Sequence, residues 1–238
     1  MSNKRADPLV ILFPIYSDVT HLDFTGPHQC FTRLPNVKVV VASLGGKPIT
    51  SAGLTFSDLA PLEKIDHCNV LCVTGGPGCI AAIQDSQFLS AIRSLAQGAQ
   101  YITSVCTGSL ILGATGLLEG KRAACHWAWR EFLPLFGAIP DSGRVVRDGK
   151  IITGGGVTAG IDFALTLIAE LADPTLAQLV QLSLEYAPAP PFDAGTPDRA
   201  PADVLARVRA LNAKAAAERR VALEQVAAVY RRSAIPDR

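Results

Sequence analysis

The sequence predicts an α/β protein: a mostly parallel central sheet sandwiched by helices, with a C-terminal helical extension. Three observations predict it. Short apolar, β-branched runs alternate with helical patches up to about residue 187, the pattern of βαβ units. Turns of small residues at 75–78, 106–108 and 154–156 follow such runs, at the strand ends where parallel sheets place their sites. From residue 202 the chain reads as one long Ala- and Arg-rich helix.

In chain order, Leu9 to Phe13 is a buried strand ending at Pro14. Leu22 to Leu34 is helical, with Pro27 in an early turn. Val37 to Leu44 is a buried strand broken by Gly45-Gly46, and the weaker alternation of 47–57 around Gly53 reads as a hairpin. Asn69 to Thr74 is a buried strand ended by Gly75-Gly76-Pro77-Gly78, with helical patches at 79–84 and 87–97 after it. Tyr101 to Val105 is the next strand, Thr107 to Leu118 a small-residue helix, and Trp127 to Phe136 a further helix. Asp148-Gly149 marks a hairpin within 144–153. Thr158 to Leu171 is apolar nearly all round, hence a buried or interface helix. Residues 8–187 therefore form the α/β domain, and 188–201 a Pro-rich strap. Residues 202–232 form a helix packing on the domain or a dimer partner, with Val204, Val208, Leu211 and Ala215 as its apolar stripe.

Composition narrows the function. The 238 residues are 49% hydrophobic and 18% charged, which excludes wholesale disorder. A net charge of +1 gives no footprint for nucleic acid or an anionic membrane, so neither is expected as a partner. The run Leu9–Phe13 is too short to span a bilayer, and no export signal precedes it, so a cytoplasmic location is expected. In that compartment Cys30, Cys68, Cys72, Cys79, Cys106 and Cys125 read as reduced thiols. No CxxC pair occurs, and Cys125-His126 are adjacent rather than spaced as paired ligands, so no structural metal is expected.

Cys106 carries the chemistry. It ends a buried strand and is followed by Thr107-Gly108-Ser109, small residues that let the chain turn sharply into a helix and lift the thiol out at the sheet edge. The helix N-terminus there should favour thiolate, and its backbone N–H groups suit a developing anion. A thiol needs a proton partner. Asp23 lies near the start of the first helix, either aimed over the same sheet edge or serving as a plain N-cap. Asp18 and His21 read as solvated, and His126 as a satisfied structural histidine. The glycines at 75–78 either bring backbone N–H groups close to a ligand or form a structural turn.

Four segments together resemble the ThiJ/PfpI branch of the glutamine-amidotransferase-like superfamily. They are Leu22-Asp23-Phe24-Thr25-Gly26-Pro27, Gly75-Gly76-Pro77-Gly78, Ser104-Val105-Cys106-Thr107-Gly108-Ser109 and the run Thr153 to Asp162. Within that branch the chain looks most like the isonitrile-hydrating members, over about residues 8 to 230, including Leu184 to Pro191 and Pro197 to Pro201. The resemblance implies a flavodoxin-like, class I glutamine-amidotransferase-like fold, a homodimer, no cofactor, and hydration of a small-molecule isonitrile to an N-substituted formamide. It implies Cys106 as nucleophile, Asp23 where many relatives carry glutamate, and Thr107 orienting the carboxyl group or the water. Gly76 and Thr107 would offer backbone to the substrate, while Gly75, Gly155 and Val157 support the elbow or pocket. In the implied chemistry Cys106 carries a thioimidate, and either water or Asp23, acting as a protonated acid of raised pKa, protonates the isonitrile carbon.

Two other readings of the same fold compete. One is a glyoxalase-like deglycase; the other is a thiol-dependent stress or redox sensor. A peptidase would want a histidine directly after the cysteine, where Thr107 stands. A transcription-regulator sensor half would need a helix-turn-helix tail in place of the single long helix.

Overall fold

The structure, a computed structural model, describes residues 7–234. The polar N-terminal segment read as lacking an export signal lies in residues 1–6, outside the described residues.

The elements run in chain order as follows. Strand β1 (Leu9–Pro14) leads to helix α1 (His21–Phe31) and strand β2 (Val37–Ser43). A small hairpin, β3 (Ile49–Ser51) and β4 (Leu54–Phe56), precedes the two-residue strand β5 (Ala60–Pro61). Then come β6 (Val70–Val73), α2 (Cys79–Gln84), α3 (Ser86–Gly98), β7 (Tyr101–Val105) and α4 (Gly108–Ala114). Two short strands, β8 (Arg122–Ala123) and β9 (Ile139–Pro140), flank a 3₁₀ segment at Arg130–Phe136. Strands β10 (Val145–Asp148) and β11 (Ile151–Gly154) close the sheet, and α5 (Ala159–Leu171), α6 (Pro174–Ser183) and α7 (Ala202–Ala234) follow.

Seven strands form the main sheet in the order β10-β11-β7-β6-β1-β2-β5. Every pair is parallel except the β10–β11 hairpin. The mostly parallel sheet that the alternation of runs predicts is the one that forms. The reason is burial on both faces. Strands β6, β7 and β11 are buried at every position, so they show no in–out alternation: β6 is apolar throughout, and β7 and β11 mix apolar residues with small or β-branched polar ones such as Thr103, Ser104 and Thr153. The helices fall into two groups: α1 packs on α5 and α5 on α6, whereas α4 packs on β6 and β7 beside α2 and α3.

Several local expectations are corrected. Strand β2 is buried only at Ala42 and Ser43, because its one outer neighbour, β5, is two residues long. The hairpin loop is Gly149-Lys150, one residue later than Asp148-Gly149. Asp148 pairs with Ile151, and Gly149 takes the positive φ of 63° that the turn needs. Residues 130–136 are 3₁₀ rather than α-helix; Pro134 within them lacks the N–H that an α-helical turn would use. Helix α4 stops at Ala114 instead of Leu118, with Gly116 at φ 83° just beyond it. Helix α6 was not anticipated, although Asp173 caps it by accepting from Leu176 N–H at 2.9 Å and Pro174 opens it. On α7 the apolar stripe is shifted: Leu211 is 78% exposed, while Leu223 and Ala227 are fully buried. The helix docks by its later turns, touching α2, α4 and the 3₁₀ segment.

Candidate active site

The site gathers at the carboxyl edge of β1, β6, β7 and β11. Cys106 follows β7 directly and adopts φ 58°, a left-handed conformation that costs a non-glycine residue about 1–3 kcal/mol. The surroundings impose it. Cys106 N–H donates to the Gly154 carbonyl at the end of β11, 3.1 Å away. Two residues on, α4 begins at Gly108, whose absent side chain would stand 2.2 Å from the Val73 carbonyl oxygen of β6. A chain of buried bonds braces the turn. The hydroxyls of Ser104 and Ser109 lie 2.8 Å apart, Ser109 donates to the Ala124 carbonyl at 2.5 Å, and Ala124 N–H donates to Thr153 Oγ1 at 2.8 Å. The small residues after Cys106 are therefore an elbow, as their spacing suggested.

Asp23 is fully buried. The N-cap of α1 is Thr20, so Asp23 sits in the first turn and is not the cap that the sequence left open. Its Oδ2 instead accepts from Gly75 N–H, 3.0 Å away at the end of β6, while Oδ1 has no hydrogen-bond partner. Thr20 N–H donates to the Gly75 carbonyl at 2.9 Å, so α1 and the glycine turn are tied together. Gly75 fits this junction because a Cβ there would stand 2.4 Å from Thr107 N and 3.0 Å from Asp23 Oδ2. Burial pushes the Asp23 carboxyl up to about 7, against the lowering pull of Gly75 N–H and of the neighbouring Cys106 thiol.

Burial and the Asp23 carboxylate together push the Cys106 thiol well above its ordinary value, although Thr107 N–H opposes the rise. This corrects the expectation of a thiolate favoured by a helix N-terminus. Helix α4 has seven residues, and its pull is smaller than the cost of placing a second negative charge beside Asp23 in a buried site. In the neutral range Cys106 is therefore a thiol, and Asp23, with its pKa at about 7, is the member of the pair that titrates.

Thr107 bridges the elbow and the glycine turn. Its Oγ1 accepts from Gly76 N–H at 2.9 Å and lies 3.3 Å from the Gly76 carbonyl. Gly76 has φ 148°, and a Cβ there would lie 2.4 Å from Thr20 N.

A cavity of about 620 Å³ opens over Cys106. Cys106, Thr107, Gly76 and Val157 line it together. Asp23 and Gly75 lie behind that surface, reached through the Cys106 thiol and the glycine turn. Gly155 is not at the cavity; it is buried and donates its N–H to the Arg144 carbonyl at 2.9 Å. In the turn after β11 it is Gly154 that meets the elbow, its carbonyl accepting from Cys106 N–H.

Sequence reasoning missed the rest of the wall. Pro77, Ile80, His126 and Trp129 line the cavity, and so do Asn212, Ala215, Glu218, Arg219 and Ala222 of α7. His126 is not merely a satisfied structural residue. Its Nδ1 accepts from Ala128 N–H at 3.3 Å while its ring faces the cavity, and burial holds its pKa below the ordinary value. For α7 the stripe from Val204 to Ala215 and the small apolar residues recurring at Ala222, Val226 and Val229 signal a docked helix, but nothing local says that its inner face overlooks Cys106. No cluster of three or more metal-ligating side chains exists among the described residues.

Comparison with known proteins agrees with this geometry. Residues 10–170 match the DJ-1/PfpI family model. The chain is 52% identical over 202 residues to isonitrile hydratase from Pseudomonas putida, covering 84% of this chain and 89% of that protein. It is 31% identical over 151 residues to the HTH-type transcriptional regulator CdhR from Pseudomonas aeruginosa, but that match spans 62% of this chain and only 44% of the regulator. The crystal structure of a ThiJ/PfpI family protein from Pseudomonas syringae superposes with a TM-score of 0.87 at 42% identity, covering 94% of this chain and 93% of that one. With the elbow, the buried carboxyl and the glycine turn held on one parallel-sheet edge, and with the family match spanning all three, this chain belongs to the DJ-1/PfpI family.

Proposed function

We propose that this protein is an isonitrile hydratase, a hydro-lyase that adds water to an isonitrile and releases an N-substituted formamide. The observation that carries the reading is the Asp23–Cys106 pair: a buried carboxyl group anchored by one oxygen to Gly75, with its other oxygen unpartnered, beside a thiol at the cavity floor. Identity of 52% to the isonitrile hydratase of Pseudomonas putida supports the same chemistry.

The reaction needs one proton relay. An isonitrile carbon is both a site for nucleophilic attack and a site for protonation. Asp23 takes the proton of the Cys106 thiol, and the sulfur attacks the terminal carbon. The same proton passes from Asp23 to that carbon, giving a neutral thioimidate, Cys106–S–CH=N–R. Asp23 is again a carboxylate and assists water in adding to the thioimidate carbon. The tetrahedral adduct collapses as the C–S bond breaks, nitrogen keeps a proton, and sulfur regains its own. Atoms balance as isonitrile plus water to formamide. A carboxyl group with a pKa near 7 is matched to a relay that must both take and give a proton. Thr107 and Gly76 would fix the backbone at the pocket floor, and Val157 would wall the thiol.

The chain is also proposed to act in the cytoplasm as a homodimer. Reduced cysteines and the exposed apolar side chains Leu179 and Leu182 on α6 support this. Among the described residues no helix is long and apolar enough to cross a membrane. The burial and raised pKa of Cys106 weigh against a peroxide-sensing role, which favours an accessible thiolate.

The test is turnover of cyclohexyl isonitrile, with formamide followed by chromatography. The reading predicts formamide at a steady rate. Intact isonitrile in the presence of pure protein, together with loss of methylglyoxal, would replace it with the deglycase reading.

A further inference from the structure

The cavity is larger than an isonitrile group requires, so its far wall meets the N-substituent. That wall is α7, and it brings a cation. Arg219 is half-buried, lines the same cavity as Cys106, and stacks its guanidinium 4.4 Å from the centre of the Trp129 ring. Its Nε donates to the Ala215 carbonyl at 2.8 Å, which leaves both terminal nitrogens without a hydrogen-bond partner among the described residues. Among the described residues no carboxylate lies within 4.0 Å of it, whereas the next residue, Arg220, pairs with Glu131 at 2.5 Å and Glu224 at 4.0 Å. Arg219 is thus oriented from behind by its own helix, held flat by an indole, and unneutralised in front. Its charge is felt inside the site: it helps to hold the His126 ring below the ordinary histidine value. Glu218 also lines the cavity, but it is exposed and forms no ion pair with Arg219.

We infer that Arg219 is a specificity-determining residue that recognises a carboxylate on the N-substituent, so that the preferred substrates are isonitriles ending in an acid group. The inference rests on the hydratase reading for its reaction, though not for its binding chemistry. Two free guanidinium nitrogens match a carboxylate bidentately, which a lysine would not do. Lining the cavity, such a fork can grip an anionic group on a bound ligand through two parallel hydrogen bonds.

The experiment compares isocyanoacetate, 3-isocyanopropanoate and 4-isocyanobutanoate with their methyl esters. The quantity read is the ratio of kcat/KM for acid over ester. Wild type is expected to favour the acid about tenfold or more at one chain length, mainly through KM. Arg219→Gln should bring that ratio to about one, and Arg219→Lys should keep part of it. Arg220→Gln removes an equal charge one residue away and should leave the ratio in place. A purely structural role for Arg219 in clamping α7 to Trp129 would lower acid and ester alike and leave the ratio unmoved. A ratio near one in wild type at every length, or an unchanged ratio in Arg219→Gln, overturns the inference. Calorimetry with N-formyl-4-aminobutanoate and its methyl ester reads the subsite without turnover. If cyclohexyl isonitrile is not hydrated, the hydratase reading fails. Salt-sensitive, Arg219-dependent binding of the acid would then still support the subsite, and its absence would sink that too.

Discussion

Asp23 is the residue whose environment says most. A carboxyl group buried among apolar side chains resists ionisation, so its raised pKa is a statement about stability as well as catalysis. The folded protein holds the Asp23 proton up to about pH 7, whereas an unfolded aspartate loses it near 3.8. Between those values the native state binds more protons, so the contribution of Asp23 to stability is lost as pH rises from about 4 to 7 and is constant above. The limit of the effect is about 4 kcal/mol for a carboxyl group moved from 3.8 to about 7. Asp23→Asn should therefore stabilise the protein more at pH 8 than at pH 5, which thermal melts at the two pH values will check. The same substitution should lower kcat/KM by roughly 10²–10⁴-fold, the usual worth of a positioned proton relay. In the wild type kcat/KM should fall below about pH 7, because a second proton on Asp23 leaves no base for the thiol. That acid limb should vanish from whatever activity Asp23→Asn retains. Gly75→Ala offers an independent check: its methyl group would meet Thr107 N at 2.4 Å, so turnover should drop even though the thiol and carboxyl group both remain.

At the scale of elements, the elbow depends on how closely α4 approaches β6. Gly108→Ala places a methyl group 2.2 Å from the Val73 carbonyl oxygen and should cost about 3 kcal/mol or more, read as a lower denaturant midpoint. By contrast, Asp173→Ala removes a cap from α6, exposed at most of its positions, and should cost only about 1 kcal/mol in the same measurement. This contrast also separates what the sequence makes legible from what it hides. Strands β1 and β6 are legible because burial on both faces demands unbroken apolar runs, and β7 and β11 because their Ile, Val and Thr residues are flanked by turn signals. The elbow is legible because Thr107-Gly108-Ser109 is a local steric requirement. Helix α6 was passed over since it buries only Ala177 and Val180, too little for a periodic apolar face, although Asp173-Pro174 is an ordinary start signal. The 3₁₀ segment keeps a helix-like apolar pattern, and only Pro134 betrays it. The site divides in the same way. Cys106 and Asp23 stand at turns that their own neighbours dictate. Trp129, Arg219 and the inner face of α7 reach the cavity through tertiary docking, governed by Leu223 and Ala227 rather than by the Val204–Leu211 stripe.

For the whole molecule, residues of the sheet edge supply Cys106 and Asp23, and α7 supplies part of the cavity wall facing Cys106. Exposed apolar side chains such as Leu179 and Leu182 call for cover, and a homodimer would supply it. Sedimentation should then give roughly 50 kDa, twice the 25.1 kDa chain, and a 25 kDa species at micromolar concentration would contradict it. The central claim, however, is covalent: an isonitrile carbon bonded to Cys106 through sulfur during turnover. Rapid-quench intact-mass measurement with p-nitrophenyl isonitrile tests it most directly. The expected result is a transient gain of one isonitrile mass, mapped to the peptide holding Cys106, which decays as formamide appears and is absent in Cys106→Ala along with turnover. Formamide produced at the wild-type rate by Cys106→Ala, with no adduct in either protein, would contradict it.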